Sequence, residues 1–398
     1  MKPTPPLSQA AARIRPPVFS ELQARIDRLA SRGEELVPLH IGDTHLAPPE
    51  AARRALGALD PEDASLYRYG PTAGVAALRE AFVRARKLDV DAENEVLVGN
   101  GGTHALYCAA RAVLDAGDEV LMASPFWPLA PGIFTACGAV PVEVPLTQAL
   151  YADASFDAGA AFAARVTPRT RGLYLISPNN PDGKVLTRHD LERIAAVARE
   201  HDLWVFSDEV YADAIFAGTH ESIANVEGMR ERTIVLHSLS KSHALAGCRV
   251  GFVTAAAPVI ASARRVSTHT AFNVSVAMQR AALAALSDEA FPSAARAAYR
   301  EARDAAAHAL EGSGVRFHLA EGATYLFLDF APVLGDEKLL ALLERAVDRG
   351  VLLAPGDAFG AAWQTCARLC YTAVPIARVR EGCARLRDAI VALREGRP

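Results

Sequence analysis

The sequence has little that would tie it to nucleic acid, a membrane or a metal. Its 42 lysines and arginines stand against 46 acidic residues, a formal charge of -4, so the basic stripe that a polyanion demands is missing. Six cysteines are scattered through 398 residues. Cys366 and Cys370 stand four apart with no second Cys/His pair near them, which argues against a metal site. Reduced, mostly buried thiols in a cytoplasmic protein are the plain expectation. The longest apolar stretch, 247–263, is interrupted by Arg249 and Pro258 and reads as strand and turn, not a membrane span. The proline-rich start, 1–17, lacks the apolar core of a signal peptide. What is present is a chain 51% apolar, enough for a large core and two domains.

Short β-rich runs alternate with helical stretches through the first two-thirds. The expected strands are Glu95–Val98, Glu119–Ala123, Gly172–Ile176, Leu203–Phe206, Thr233–His237 and Arg249–Thr254. Ala105–Leu114 and Asp190–Glu200 read as helices between them. This alternation predicts a mostly parallel sheet with helices on both faces, a three-layer α/β/α architecture. A long helix over Pro292–Leu310 then leads into apolar runs at Tyr325–Phe330 and Gly350–Ala354, with helices at Lys338–Arg349 and Val379–Arg394. That pattern predicts a smaller α+β domain built from the two chain ends. The expected division is 1–48 as an arm and part of the small domain, 49–289 as the large domain, and 290–398 as the connecting helix and the rest of the small domain.

Unusual polar residues gather just after the expected strands. They are Gly101-Gly102-Thr103, Ser124 to Trp127, Asn179-Asn180-Pro181, Asp208 to Tyr211, and Ser238 to Lys241. In open α/β sheets the ligand crevice lies outside the carboxyl ends of the strands, so five segments converge on one rim. Singly they are ambiguous. A Gly-Gly after a strand is common turn chemistry, although its N–H groups can hold a phosphate at a helix start. Asn180-Pro181-Asp182-Gly183 is also an ordinary turn. Asp208 closes an apolar strand, where a carboxylate is costly without a partner. Lys241 follows Ser238-Leu239-Ser240, and most lysines are simply solvated. Together they match the needs of pyridoxal 5′-phosphate (PLP): an amine for its aldehyde, a carboxylate opposite the pyridine nitrogen, donors to the phenolate oxygen, a phosphate cradle and a stacking ring.

In this order, from about Leu39 to Tyr371, the segments resemble the class I/II aminotransferases of PLP fold type I, which are aspartate aminotransferase-like. The specific parts are Ser238-Leu239-Ser240-Lys241 with Arg249 eight residues on, Asp208-Glu209-Val210-Tyr211, and Ser177-Pro178-Asn179-Asn180-Pro181-Asp182-Gly183. The resemblance implies that Lys241 forms a Schiff base with the cofactor and then moves a proton, passing through a pyridoxamine phosphate form. It implies that Asp208 keeps the pyridine nitrogen protonated, and that Asn180 and Tyr211 donate to the phenolate oxygen. Ser238, Arg249, Gly101, Gly102 and Thr103 would hold the phosphate, and Trp127 would stack on the ring. Arg368, in Ala367-Arg368-Leu369, matches the arginine that grips the substrate α-carboxylate. Gly42, in Ile41-Gly42-Asp43, resembles the segment that closes over substrate. Tyr69 resembles the tyrosine that reaches a neighbouring subunit's phosphate, which implies a homodimer with shared sites.

There are departures. Thr44-His45-Leu46 stands where many relatives carry Pro-Asp or Glu-Pro, and a surface or supporting role is expected of His45. No clear second arginine is placed for a dicarboxylate side chain. The N-terminal segment is expected to supply pocket residues such as Phe19. The expected activity is transfer of an amino group from an amino acid to a 2-oxo acid. A lyase, decarboxylase or synthase on the same fold is the alternative, and a PLP-fold transcription regulator would need a DNA-binding domain for which the first forty residues are too few.

Overall fold

Runs such as Leu121-Met122-Ala123 and Leu173-Tyr174-Leu175-Ile176 show no polar alternation because both faces of their strands are covered. The computed structural model describes residues 5, 8–15 and 22–396; Phe19 lies outside them. One sheet holds seven strands: β1 (Val96–Asn100), β2 (Glu119–Ser124), β3 (Val140–Pro145), β4 (Thr170–Ile176), β5 (Trp204–Asp208), β6 (Thr233–Ser238) and β7 (Val250–Thr254). Their order is β1-β7-β6-β5-β4-β2-β3. Only β7 runs against its neighbours; the other pairings are parallel. Leu173 and Leu175 enter one apolar layer with Leu121, Val205 and Ile194. Tyr174 and Ile176 enter the opposite layer with Met122, Phe134 and Phe206. Each such side chain, fully buried, contributes roughly 1.5–3 kcal/mol.

The strand β3 was not among the expected ones. It is the sheet edge, carries Pro141 and Pro145, and is only partly buried. Prolines and polarity suit an edge and hide it from a pattern search. The strand expected at Leu203–Phe206 lies at Trp204–Asp208, so Asp208 is itself its last residue. Register then fixes the rim, because Asp208 pairs with Ile176 on one side and Leu236 on the other.

A second, antiparallel sheet has the order β8 (Tyr325–Asp329), β10 (Cys366–Cys370), β9 (Ala354–Pro355). The apolar run 350–354 yields just that two-residue strand, with Val351 bridging Val37. Helices Phe291–Leu310, Leu339–Asp348 and Ile376–Arg394 cover this sheet. Their core also takes in Leu22, Leu29, Val37 and Leu39, so the two chain ends share one interior. Among the described residues no helix is long and apolar enough to cross a membrane.

Candidate active site

A cavity of about 270 Å³ opens at the carboxyl ends of β4, β5 and β6, and residues of the second sheet close its far side. Among its lining are Gly42, Gly102, Thr103, Trp127, Asn180, Asp208, Tyr211, Ser238, Lys241, Arg249 and Arg368. Eleven residues singled out from the sequence therefore share one space. Gly101 lies just behind it, and Tyr69 stands outside, 84% exposed, with its ring centroid 4.7 Å from that of Phe272.

The turn after β4 is held by a buried carboxylate. Asp182 accepts from Asn179 Nδ2 at 2.8 Å and Gln148 Nε2 at 2.9 Å, and also from Thr147 Oγ1. That frees Asn180 to face the cavity. Its Nδ2 donates to the Tyr211 hydroxyl at 3.3 Å, and its Oδ1 accepts from Arg368 Nη1 at 3.0 Å.

Asp208 has two neutral donors, the Tyr174 hydroxyl at 2.9 Å and Val210 N–H at 3.4 Å. Burial pushes its carboxyl up to about 6, against the pull of those bonds. Among the described residues it has no cationic partner. The next residue, Glu209, points to the other face and takes bonds from Ser207, Ser222 and His220. Burial opposes its charge, but the His220 contact keeps it below the usual carboxylate range.

Lys241 sits in a one-turn helix, Leu239–Ser242, whose start is capped by Ser238 Oγ accepting from Ser240 N at 3.1 Å. Its Nζ donates to the Gly42 carbonyl, and its own carbonyl accepts from Tyr299 at 2.9 Å. Gly42 has to be a glycine because a Cβ there would strike the Tyr325 hydroxyl.

Two glycines open a cradle. Gly101 begins the helix Gly101–Val113 at φ +78, and a Cβ on it would meet the Arg249 guanidinium. A Cβ on Gly251 would meet Gly102 N. The unshielded N–H groups of that helix start and the Arg249 cation make an anion site.

Arg368, midway along β10, is clamped. Its Nη2 donates to His40 O at 2.8 Å, and its guanidinium lies 4.4 Å from the Tyr325 ring centroid and 5.1 Å from that of Phe359. Its buried Nε has no hydrogen-bond partner among the described residues. Burial and Arg368 together hold His40 down to about 4, so it stays neutral. His45 packs its Nδ1 against Thr372 O at 3.0 Å, a supporting position.

Tyr174, Tyr325 and Phe359 were not singled out from the sequence. One signal was available: a tyrosine in a buried strand needs a partner for its hydroxyl. Tyr174 and Tyr325 both meet that description.

The cavity thus joins a lone buried carboxylate to an amine, two guanidinium groups and a helix start. Comparison with known proteins finds relatives over most of the chain. The family model described as "Aminotransferase class I and II" matches residues 34–386. An aspartate/prephenate aminotransferase of Thermus thermophilus is 34% identical over 367 residues, covering 89% of this chain and 92% of the relative. An arginine–pyruvate transaminase of Pseudomonas aeruginosa is 37% identical over 366 residues, covering 89% and 90%. The solved structure of T. thermophilus aspartate aminotransferase with maleate superimposes with a TM-score of 0.87 at 31% identity, covering 97% of this chain and 100% of that one.

Proposed function

Because the chain belongs to the class I and II aminotransferases, a PLP-dependent family, we propose that the cavity residues hold PLP and an amino acid in the roles given below. The activity itself is transfer of an amino group between an amino acid and a 2-oxo acid. The observation that carries the assignment is Asp208, a buried carboxylate with no cation of its own among the described residues, sharing a cavity with Lys241. A protonated pyridine nitrogen is the partner such a group lacks.

The residues present fit the cofactor. Lys241 Nζ would bond its aldehyde, Asn180 and Tyr211 would donate to its phenolate oxygen, and Trp127 would cover its ring. Arg249, Ser238, Thr103 and the N–H groups at Gly101 and Gly102 would take the phosphate, in a cradle that a Cβ on Gly101 or Gly251 would crowd. When bound, PLP supplies a protonated ring that accepts the electron pair released as the α-C–H bond breaks.

The chain supplies position and protons. Arg368 holds the substrate carboxylate through its free Nε–H and remaining Nη–H groups, a planar fork suited to two oxygens. That contact fixes which bond at the α-carbon points toward Lys241. Once the substrate amine has taken its place at the aldehyde, Lys241 Nζ would take the α-proton and return it two bonds away, on the former aldehyde carbon. Gly42 O, which accepts from the amine, keeps Nζ over the cavity between those events. With no cation facing it, burial raises the Asp208 carboxyl to about 6, and a protonated ring nitrogen there would favour its charged form.

We take residues 49–289 as the cofactor-binding domain, with 1–48 and 290–398 forming the smaller one. We also assign a homodimer in the cytoplasm. Tyr69 would reach the phosphate site of a second copy, which suits a tyrosine left 84% exposed.

The test is an absorbance titration of the PLP-loaded protein with a panel of amino acids and no oxo acid. Donors should discharge the visible band and release one equivalent of their oxo acid. Ammonia release with the band restored would instead identify a lyase. No visible band even with added PLP would overturn the assignment.

A further inference from the structure

We propose that Tyr325 is a positioning residue that strengthens the hydrogen bond Tyr211 gives to the cofactor, and that it does so through its hydroxyl rather than its ring. The inference rests on the reading of Tyr211 as a donor to the phenolate oxygen.

The argument is an accounting of protons. Tyr211 and Tyr325 place their hydroxyl oxygens 2.8 Å apart. Distance alone leaves open which one donates. Tyr325 is 1% exposed, and its hydroxyl faces the bare α-carbon of Gly42. Among the described residues Tyr211 is its one hydrogen-bond partner. A buried hydroxyl proton left without an acceptor is costly, and Tyr211 can aim its own proton at the cofactor's phenolate oxygen, so the arrangement that satisfies both is Tyr325 donating and Tyr211 accepting. Asn180 Nδ2 also donates to the Tyr211 oxygen, at 3.3 Å. A phenol has two acceptor positions and one proton. With both positions filled, Tyr211's proton is committed outward, into the cavity. A hydroxyl that accepts hydrogen bonds is also a stronger donor.

Tyr325 comes from β8, on the second sheet, whereas Tyr211 follows β5 on the first. The ring of Tyr325 has a separate task, which is to lie under the Arg368 guanidinium at 4.4 Å. Hydroxyl and ring therefore act on different ligand groups, and substitution can separate them.

The experiment follows the visible absorbance of the PLP-loaded enzyme against pH for wild type, Tyr325→Phe, Tyr211→Phe and the double variant. A donor to the phenolate oxygen lowers the pH midpoint of that change. Tyr325→Phe should raise the midpoint by about 0.3–1 pH unit, the size of one net hydrogen bond, with KM for the amino acid unchanged. Tyr211→Phe should raise it further, and the double variant should match Tyr211→Phe. Tyr325→Leu, which loses the ring as well, should add a rise in KM. A Tyr325→Phe midpoint equal to wild type would overturn the proposal, as would a shift that adds fully to that of Tyr211→Phe. A folded Tyr325→Phe that does not load PLP would also overturn the proposal, since loss of one supporting hydrogen bond predicts a shifted midpoint and not a lost cofactor. A wild type with no visible band at all would instead defeat the underlying assignment of Lys241.

Discussion

Asp208 and Arg368 face the same cavity, but the backbone fixes one and side chains fix the other. Asp208 is the last residue of a central strand, locked by register to Ile176 and Leu236, so strand geometry alone aims it. The same holds for Lys241, one turn past β6, and for Asn180 on its pinned turn. Arg368 lies on the small sheet, and its long side chain is aimed by Asn180, His40, Tyr325 and Phe359. Those four come from four separate stretches of chain. The first wall is thus preorganised by secondary structure, and the second by contacts that exist only when both ends of the chain are folded. The first should fail through chemistry when altered, the second through geometry.

Lys241→Ala tests the first wall and should have the largest effect. Without the amine, transfer should fall by roughly 10⁴-fold or more, while circular dichroism and the melting temperature stay near wild type. Transfer at the native rate would remove Lys241 from the reaction. Arg368→Lys tests the second wall. It keeps the charge but loses the planar fork and the ring clamp, so kcat/KM should drop by about 10²-fold, mostly in KM. A value within a few-fold of wild type would mean that the clamp is not what positions the carboxylate.

Asp208→Asn sharpens the contrast, because here the chemistry carries a folding cost. In the cofactor-free protein its carboxyl titrates near 6, above the usual 3.8. Between those pH values the folded state binds the proton more tightly than the unfolded state does. The stability that the proton confers is complete below about 3.8 and lost as pH rises through 6. Asparagine carries no such charge. The cofactor-free Asn variant should therefore be more stable than wild type above pH 6, on the order of 1–3 kcal/mol, with the gap closing toward pH 4. Thermal unfolding across that range measures it, and equal melting temperatures at pH 8 would mean that the charge already has a partner.

The same contrast accounts for what could be read from the sequence. Strand-end motifs keep their residues close along the chain, so Asn180, Asp208, Tyr211 and Lys241 were visible as short patterns, and the mostly parallel sheet followed from its alternation. Arg368 and Gly42 were visible because local motifs flank them. Tyr325 and Phe359 were not, since each looks like core and acquires its role through a partner more than eight residues away in sequence. Edge strand β3 and strand β10 were not expected, and the run 350–354 gives only the two-residue β9, because their pairing depends on neighbours, not on hydrophobic period.

Phe359→Leu is the smallest change and isolates one side of the Arg368 clamp. Leucine keeps the apolar burial of a residue that is fully enclosed, but it has no π-face for the guanidinium. A cation–π contact of this sort is worth about 0.5–2 kcal/mol, and Tyr325 keeps its own contact at 4.4 Å. The expected result is a rise in KM of about 5-fold with kcat little changed. The backbone carbonyl of Phe359 accepts from Phe126 N at 3.0 Å, beside Trp127, and the substitution leaves that bond in place. A fall in kcat at constant KM would mean that the clamp acts on the chemistry of the first wall, and that the two walls are not independent.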